Sequence, residues 1–386
     1  MLPKTRRNAL NTVRSIRKEK GISQEGLAAS AGISRKHLSA IENQNATPSV
    51  TVAMRLAGSL GVDAGQLFFD LSPQPDPDYP EPLRYIDLFC GIGGFRYAAM
   101  GAFESLGIEG ECVFSSDIDK YAQMSYSANF GEMPAGDITK VPASDIPDFD
   151  LLFGGFPCQA FSICGLMEGF NDTTKGTLFF EIARILKEKR PQAFVLENVK
   201  NLIGHDNGNT LRTILSVLRD ELGYHVDCHL LNALDFGLPQ KRERVIIVGS
   251  RKPFTMDWSF DIKERKTLDD ILEKDVDPKH YASEAIIAKR KSMHTPSVTP
   301  SIWHENKAGN ISSYPYSCAL RAGASYNYLL VNGERRLTPR EMLRLQGFPD
   351  SFKIVVSDCQ TRKQAGNAVP VDMIKAVLER FLPVAF

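Results

Sequence analysis

Short apolar runs alternate with segments of helical spacing from residue 85 onward, and this alternation constrains the fold more than any other feature. The runs that predict strands are 85–89, 112–115, 150–153, 193–196 and 244–248. The segments between them that predict helices include 119–129, 177–189 and 210–222. Strands and helices that alternate in this way form a sheet covered by helices on both faces. The sequence therefore predicts an α/β fold with a doubly wound, mostly parallel sheet.

Segments of a different character divide the chain into domains. Residues 1–72 have the apolar spacing and serine caps of short helices, and residues 73–84 contain five prolines, which favours an extended linker. Residues 251–334 lose the strand–helix alternation, and it returns in 335–386. We predict an all-α first domain, a catalytic domain formed by 85–250 with 335–386, and a smaller irregular domain between its two parts.

Composition excludes several classes of protein. The 386 residues are 43% hydrophobic and 24% charged, which is ordinary for a water-soluble protein. No apolar run reaches membrane-spanning length, and the charged start lacks the apolar core of a signal peptide. We therefore predict a protein without membrane partners.

The cysteines indicate a reducing compartment. Seven of them are scattered along the chain without a Cys-x-x-Cys pair, which predicts free thiols and a cytoplasmic location. Cys228 lies between His225 and His229, but this segment has the pattern of a strand and no fourth ligand lies near in sequence. We predict no metal site.

Charge is distributed unevenly although the net charge is zero. Residues 1–72 carry ten Lys and Arg against five Asp and Glu. A small basic unit on a neutral body indicates a contact with a polyanion. A solvated charged face that only aids solubility explains the charge alone equally well.

One cysteine lies where an open α/β sheet presents its reactive groups. The run Gly154-Gly155-Phe156-Pro157-Cys158-Gln159 follows the apolar strand 150–153. Glycine lets the backbone approach a ligand, and proline fixes the turn that presents the thiol. A lone cysteine in such a loop is more often structural, but other segments here indicate the same chemistry.

Those other segments supply a cofactor site, a carboxylate and basic donors. A glycine-rich turn spans Asp87 to Phe95 after the first strand, and acids follow at Asp117 and Asp137, a pattern that suits a nucleoside cofactor. Glu197 follows the strand 193–196, where a carboxyl group pairs sensibly with a nucleophile. A basic cluster precedes another strand in the run Gln240-Lys241-Arg242-Glu243-Arg244.

Taken in order, these motifs resemble those of the bacterial DNA (cytosine-5) methyltransferases of type II restriction-modification systems. The resemblance covers about 85–386 and includes two further motifs, Arg335 to Pro349 and Gln364 to Val369. It implies a Rossmann-like methyltransferase sheet in the catalytic domain. It also implies that 251–334 is the target-recognition domain. It also implies S-adenosylmethionine as cofactor and double-stranded DNA as partner.

The resemblance assigns roles to individual residues. The cofactor-binding residues that it implies are Phe89, Gly91, Gly93, Asp117 at the ribose, Ile118, Asp137 at the adenine, Ile138 and Asn367. Many relatives have an aromatic residue at the position of Ile118, so the chain departs from the family pattern there. The catalytic residues that it implies are Cys158 as nucleophile, Glu197, Arg242 and Arg244. The DNA contacts expected in this part of the chain are Gln159, Ser162, Gln240 and Arg321.

Residues 1–72 resemble a second family, the repressor-type helix-turn-helix domains. The resemblance lies in Ser23 to Ala28, Ala31 to Ser34 and Leu38 to Glu42. It implies a recognition helix from Ser34 to Asn43 that enters the major groove. The expected DNA contacts are Gln24, Ser34, Arg35, Lys36 and Ser39. The resemblance further implies that this domain represses the system's own genes. We expect the protein to methylate DNA as a monomer and to bind an operator as a dimer through this domain.

Two alternatives stay open at this point. A DNA-binding regulator with an inactive methyltransferase body would keep the first domain's function, although the intact Cys158, Glu197 and Arg244 disfavour it. A transfer RNA cytosine-5 methyltransferase can share the catalytic body, although the repressor-like domain and the 251–334 segment disfavour that interpretation.

Overall fold

The computed structural model describes residues 11–43, 46, 48–68, 77–157, 178–261 and 265–386. The chain divides into two compact units, Met1–Pro77 and Asp78–Phe386. None of the described helices is long and apolar enough to cross a membrane.

The first unit is a group of short helices around a small apolar core. Its helices are α1 (Val13–Glu19), α2 (Gln24–Ser30), α3 (Arg35–Glu42), α4 (Val50–Leu60) and α5 (Ala64–Leu67). Apolar side chains at helical spacing, including Val13, Leu27, Leu38 and Leu56, are buried against one another. The all-α prediction is therefore confirmed for the residues described here.

Serine side chains cap three of these helices, as the sequence predicts. The hydroxyls of Ser23, Ser34 and Ser49 accept hydrogen bonds from backbone amides at 2.9, 3.1 and 3.3 Å. Each bond satisfies an amide that the first turn of a helix leaves unpaired, which typically contributes about 1 kcal/mol. At the other end of α4, Gly61 adopts the left-handed conformation that stops the helix.

A buried ion pair joins α1 to α3. Arg17 Nε lies 2.6 Å from Glu42 Oε1, and both side chains are almost completely shielded from solvent. The Glu42 carboxylate also accepts from Gln24 at 2.9 Å. Burial opposes the charged form of Glu42, but the hydrogen bonds from Arg17 and Gln24 outweigh it and lower the pKa of this carboxyl below its ordinary 4.5.

This lowered pKa makes the stability of the first unit depend on pH. The pair contributes its full stabilisation above the unfolded-state pKa of Glu42, and the contribution is lost as the pH falls through the lower folded-state pKa. We expect Glu42→Gln to reduce the unfolding free energy of this unit near about pH 7, and the difference from wild type to shrink toward about pH 3. Urea titrations at each pH, followed by the amide resonances of α1 and α3, measure the unfolding free energy of both proteins. Glu25→Gln is the control, because Glu25 forms an exposed pair with Arg35. A difference that does not change with pH would contradict the prediction.

The second unit contains a six-stranded sheet in the order β2-β1-β3-β4-β7-β5. Its strands are β1 (Leu83–Leu88), β2 (Gly110–Ser116), β3 (Leu151–Gly155), β4 (Ala193–Val199), β5 (His225–Asn232) and β7 (Glu243–Ser250). Pairing is parallel among β2, β1, β3 and β4, while β7 runs antiparallel to both of its neighbours. The mostly parallel prediction is confirmed, with β7 as the reversed strand.

Helices cover both faces of this sheet. The helices that follow the strands are α6 (Gly94–Leu106), α7 (Lys120–Phe130), α8 (Leu178–Lys189), α9 (Asn209–Ser216), α12 (Pro339–Leu345), α13 (Asp358–Asn367) and α14 (Val371–Ala385). One core includes Phe95, Phe153 and Phe381, and the other includes Ile182 and Phe194. Successive strand residues face opposite cores, as Phe153 and Leu152 do, which explains the nearly continuous apolar runs of the central strands.

The segment between the two halves of this fold has less regular structure. Its elements are α10 (Leu268–Ile271), α11 (Glu284–Met293), β8 (Ile302–Glu305), β9 (Ile311–Tyr314), β10 (Ser317–Cys318) and β11 (Leu329–Val331). Three of the strands form a small antiparallel sheet, and β10 pairs with β6 (Gln240–Lys241). A common apolar cluster contains Ile302 and Leu329 from this segment and Leu345 from α12. The segment is therefore joined to the rest of the second unit by packing.

Candidate active site

A cavity of about 570 Å³ opens at the ends of β1 to β4. Parallel strands bring residues distant in sequence to this one edge, where open α/β sheets bind their ligands. The sequence-predicted residues that line it are Phe89, Gly91, Asp117, Ile118, Asp137, Ile138, Glu197, Arg242, Arg244 and Asn367. Helix α13 supplies the opposite wall through its last residues.

The turn after β1 has an unusual backbone. Phe89 and Gly91 both have positive φ, at 56° and 54°. This conformation is uncommon for a residue with a side chain and costs energy that the surrounding structure must offset. A Cβ added to Gly91 would meet no atom within 4 Å, so the side of this glycine that lacks a side chain faces open space. The backbone is thus accessible to a ligand here.

Gly93 follows in the same turn and packs closely against a neighbouring helix. A Cβ at this position would lie 2.2 Å from the ring of Phe130, which packs over the start of α6. Its φ of 83° also favours glycine. Gly93 is therefore required for close packing against α7, whereas Gly91 faces the cavity.

Two acids present carboxylate oxygens at the ends of neighbouring segments. Asp117 follows β2 and accepts hydrogen bonds from the amides of Gly91 and Asp119, both at 2.8 Å. Burial raises the pKa of Asp117, although these amides partly oppose the shift. Asp137 is held by the hydroxyl and amide of Thr139, which lower its pKa. The side chain of Ile118, 76% exposed, lies between them in sequence as an apolar surface at the cavity.

Glu197 and Arg244 form an ion pair at the cavity wall. Glu197 lies in the buried part of β4, and Arg244 lies on the adjacent β7. Arg244 Nε is 2.5 Å from Glu197 Oε1, although its N–H is not aligned for a hydrogen bond. Both side chains are about nine-tenths buried. A carboxyl group and a guanidinium are thus held together in a site with little water.

The turn that leads to Cys158 reaches the same cavity. Phe156 and Pro157 line it, and the side-chain amide of Asn198 donates to the Phe156 carbonyl at 2.9 Å. A Cβ on Gly155 would lie 3.6 Å from Glu197 Oε2. The described segment 77–157 therefore ends at the cavity, two residues after the contact between Gly155 and Glu197. Cys158, Gln159 and Ser162 lie outside the described residues.

Arg242 lines the cavity, but backbone groups hold its guanidinium. Its side chain is fully buried, and its guanidinium donates to the carbonyls of Leu320, Gly366 and Ala368 at 2.9, 2.9 and 2.8 Å. Burial lowers the pKa of Arg242 to about 9, and the nearby Arg244 adds to this effect. Because its terminal nitrogens donate to backbone oxygens, Arg242 is a positioning residue that holds two distant segments, at Leu320 and at Gly366 to Ala368, around the cavity.

Gln240 is held by the protein in the same way. It is completely buried, donates to the Leu345 carbonyl at 2.8 Å and accepts from the Leu320 amide at 3.0 Å. These two bonds join the start of β6 to Leu320 and to the end of α12.

Two residues of α13 were missed by the sequence analysis. Lys363 lines the cavity and forms a 2.6 Å ion pair with Asp119, the N-cap of α7. Gln364 donates to the Tyr121 carbonyl at 2.8 Å and accepts from Ser125 at 3.2 Å. Lys363 lies four residues before Asn367, so helical spacing would have placed it on the same face of α13.

The predicted DNA contacts of the first unit lie on or beside α3. Arg35 and Lys36 are exposed at its first turn, and Ser34 is an exposed cap. Gln24 is bonded to Glu42, and Ser39 is half-buried beside Asn43. The exposed pair Arg35 and Lys36 is thus the more accessible part of this set. Arg321 lies outside the active-site cavity and lines a separate one. Within the described ranges no cluster of His, Cys, Asp or Glu suits a metal ion.

Comparisons with known proteins match both units. The family of C-5 cytosine-specific DNA methylases matches residues 83–382, and a helix-turn-helix family matches 13–67. The type II methyltransferase M.NgoBI of Neisseria gonorrhoeae is 55% identical over 296 residues, which are 76% of this chain and 91% of the relative. M.HaeII of Haemophilus aegyptius is 55% identical over 297 residues, with the same coverage. M.SsoII of Shigella sonnei is 44% identical over 332 residues, or 82% of this chain and 84% of the relative.

Solved structures agree on the fold. The Entamoeba histolytica methyltransferase EhMeth aligns with a TM-score of 0.59 and 18% identity over 77% of this chain and 97% of its own. The S. pombe Dnmt2 methyltransferase aligns with a TM-score of 0.58 and 22% identity over the same shares. At these identities the likeness extends to the fold alone, and the family is shown by the sequence matches. The chain belongs to the C-5 cytosine-specific DNA methyltransferases, is an enzyme of that class, and carries a helix-turn-helix domain at its amino-terminal end.

Proposed function

We propose that this enzyme transfers a methyl group from S-adenosylmethionine to carbon 5 of a cytosine in a short, specific sequence of double-stranded DNA. The observation that carries the proposal is one cavity that joins the Glu197–Arg244 pair, the turn leading to Cys158 and the carboxylates of Asp117 and Asp137. The type II relatives favour a restriction-modification system, in which methylation protects the DNA from a partner endonuclease.

The residues of the cavity fit S-adenosylmethionine. Asp117 and Asp137 offer carboxylate oxygens that accept hydrogen bonds from hydroxyl and amino groups. Ile118 offers an exposed apolar surface for a planar base, and Gly91 leaves room beside the backbone. When bound, this cofactor supplies an electrophilic methyl group. We assign Phe89, Ile138 and Asn367 to the same site because they line its walls.

The protein's own residues account for the remaining chemistry. We propose that the Cys158 thiolate adds to carbon 6 of the cytosine, which places electron density on carbon 5 and makes it nucleophilic. Glu197 hydrogen-bonds ring nitrogen 3, and Arg244 binds the base carbonyl oxygen. After methyl transfer the carbon-5 proton is lost, the sulfur–carbon bond breaks and aromaticity returns. Because the target carbon lies inside a stacked duplex, the base must first leave the helix.

Glu197 can be tested with a neutral variant of the same shape. We expect Glu197→Gln to lower the rate of methyl transfer by about 10²- to 10⁴-fold, since the amide cannot supply a proton to the ring. Single-turnover transfer of labelled methyl groups to duplex DNA measures the rate. The matched control is Glu243→Gln, because Glu243 is the neighbour of Arg244 but pairs with Lys200 at the surface. Equal rates for the two variants would remove Glu197 from the mechanism.

Mapping of methylated cytosines in DNA from cells that express the chain tests the proposal as a whole. We expect one cytosine in a single short sequence to be modified. Transfer to transfer RNA and not to duplex DNA would favour the RNA-modifying alternative. Operator binding without any transfer would favour an inactive regulator.

We further propose that the helix-turn-helix domain represses transcription of the system's genes. The exposed Arg35 and Lys36 at the first turn of α3 support a major-groove contact. We expect the double variant Arg35→Ala/Lys36→Ala to weaken operator binding by at least about tenfold and to relieve repression, with methylation unchanged. A reporter driven by the system's promoter measures repression. Lys18→Ala/Lys20→Ala, which removes two exposed charges at the end of α1, is the control. An equal loss in both double variants would show a non-specific charge effect.

A further inference from the structure

A second cavity of about 250 Å³ lies next to the candidate active site. Adjacent residues separate the two: Arg362 lines the second cavity, and Lys363 lines the first. Gly366 lines the first cavity, and a Cβ added to it would lie 2.4 Å from the amide nitrogen of Ala322. Ala322 follows Arg321, which lines the second cavity, so the two walls are in contact. We call this second space the arginine–tyrosine cavity.

The arginine–tyrosine cavity has an apolar floor and aromatic walls. Leu320, Leu329, Leu337 and Met342 contribute aliphatic surface, and Tyr326 and Tyr328 contribute rings. Tyr328 is buried, but 51% of Tyr326 is exposed. An aromatic ring left in solvent beside an apolar floor is a surface that a planar apolar group would cover.

Positive charge surrounds these rings. The guanidinium of Arg321 lies 4.9 Å from the centre of Tyr328, and those of Arg336 and Arg362 lie 5.0 and 4.9 Å from the centre of Tyr326. Stacked guanidinium groups add flat cationic surface to the tyrosines. The cavity therefore combines flat faces with cations.

Most of this charge has no carboxylate opposite it. Asp358 is the acidic residue among those lining the cavity, and Lys279 pairs with it at 3.0 Å. Arg362 donates to the Ser325 carbonyl at 3.1 Å, which fixes its plane without neutralising it. Among the described residues, the side chain of Arg321 has no hydrogen-bonded or acidic partner. An anionic group would find an uncompensated cation at this position.

We propose that the arginine–tyrosine cavity binds one nucleotide unit, with its base on the tyrosine and aliphatic surfaces and its phosphate at Arg321. Bases stack on aromatic rings and guanidinium planes, and arginine suits phosphate geometry. The source that we favour is an unstacked nucleotide of the substrate DNA, which rests on the proposed function. Extrusion of the target cytosine disturbs the stacking of its neighbours, and a second binding site beside the first would offset part of that cost. A free nucleotide carries the same chemistry and is the other source that the test separates.

Filling the cavity tests the proposal in the full-length chain. Met342→Trp places a bulky ring on the floor, and Tyr326→Ala removes an exposed stacking face with little effect on the core. We expect each variant to weaken binding of the target duplex about tenfold, or about 1.4 kcal/mol, because each removes the stacking contribution of one base. Affinity for S-adenosylhomocysteine and the thermal midpoint should not change in Tyr326→Ala. Met100→Trp is the control, because Met100 is exposed on α6.

The position of the docked nucleotide follows from a scan with abasic sites. The target sequence is first identified by methylation mapping or, if no transfer occurs, by selection for binding. A set of duplexes then carries one abasic nucleotide each, at successive positions of this sequence. We expect one position besides the target cytosine at which base removal weakens binding by wild type but not by Tyr326→Ala. This dependence on both changes distinguishes a specific pocket from a general loss of charge or stability.

Titration with deoxynucleoside monophosphates separates the two sources. One result assigns the cavity to a free nucleotide. In that case wild type binds a mononucleotide, Met342→Trp does not, and all variants bind the duplex with the same affinity. If neither the duplex nor the mononucleotides distinguish wild type from Tyr326→Ala, the proposal is overturned. Both measurements report binding without methyl transfer. An inactive enzyme that still shows the position-dependent effect would therefore refute the proposed activity and leave the cavity's role intact.

Discussion

Replacement of Cys158 by serine is expected to abolish methyl transfer while the protein keeps its fold. A serine hydroxyl has nearly the size of the thiol but is a far weaker nucleophile at neutral pH, because it does not form the anion to a useful extent. Loss of a covalent nucleophile costs on the order of 10⁴-fold or more in rate. Pro157, which precedes Cys158 in the sequence, lines the cavity where the reaction is proposed.

The measurement combines transfer with covalent trapping. Wild type should form a stable adduct with a duplex that carries 5-fluorocytosine at the methylated position, since the fluorine blocks the elimination step. Cys158→Ser should form no adduct while it binds the duplex and S-adenosylhomocysteine normally. Cys359→Ser is the control, because Cys359 is an exposed free thiol on α13. Transfer by Cys158→Ser within about tenfold of the control would rule out the covalent mechanism.

Replacement of Arg242 by methionine is expected to have the largest effect on stability. Methionine fills part of the space of the arginine stem but removes the donor to the carbonyls of Leu320 and Gly366, and leaves the Ala368 carbonyl only a 3.3 Å bond from Gln346. A buried acceptor without a partner costs about 1–3 kcal/mol, while removal of a buried charge returns part of this. We expect a net loss of roughly 3 kcal/mol in the unfolding free energy of the second unit.

Urea unfolding of the second unit, followed by the fluorescence of its tryptophans, measures this loss. Lys241→Met is the matched control, because Lys241 is the exposed neighbour of Arg242. We also expect Arg242→Met to weaken S-adenosylmethionine binding at low temperature, since the segment that carries Asn367 is no longer held. Equal midpoints for the two variants would show that the three carbonyls find other partners.

Local patterns were sufficient to predict most elements of the fold. The runs 193–196 and 244–248 lie within β4 and β7, and Ser23, Ser34 and Ser49 cap the helices that follow them. These features depend on neighbouring residues, because helix caps and apolar periodicity involve only a few positions along the chain. The reversal of β7 was not predictable in this way, since strand direction depends on how the connecting segments cross the sheet.

Some residues of the candidate site were predictable from local patterns, and others were not. Glu197 and Asp117 were identifiable because acids that follow predicted parallel strands meet at one edge of the sheet, whereas Asp137 and Arg244 were assigned through the family resemblance. Lys363 was missed because its partner Asp119 lies 244 residues away.

The amino-acid sequence by itself determined the class of enzyme, the presence of two units and the residue types that the reaction needs. Tertiary structure alone decided which partners the polar residues of the basic run contact. Arg244 turns to Glu197 in the cavity wall, whereas Arg242 and Gln240 are enclosed by backbone groups from segments at least 78 residues away. The physical reason is that burial of a polar side chain requires partners for its donors and acceptors. In this protein, folding brings those partners from distant parts of the chain.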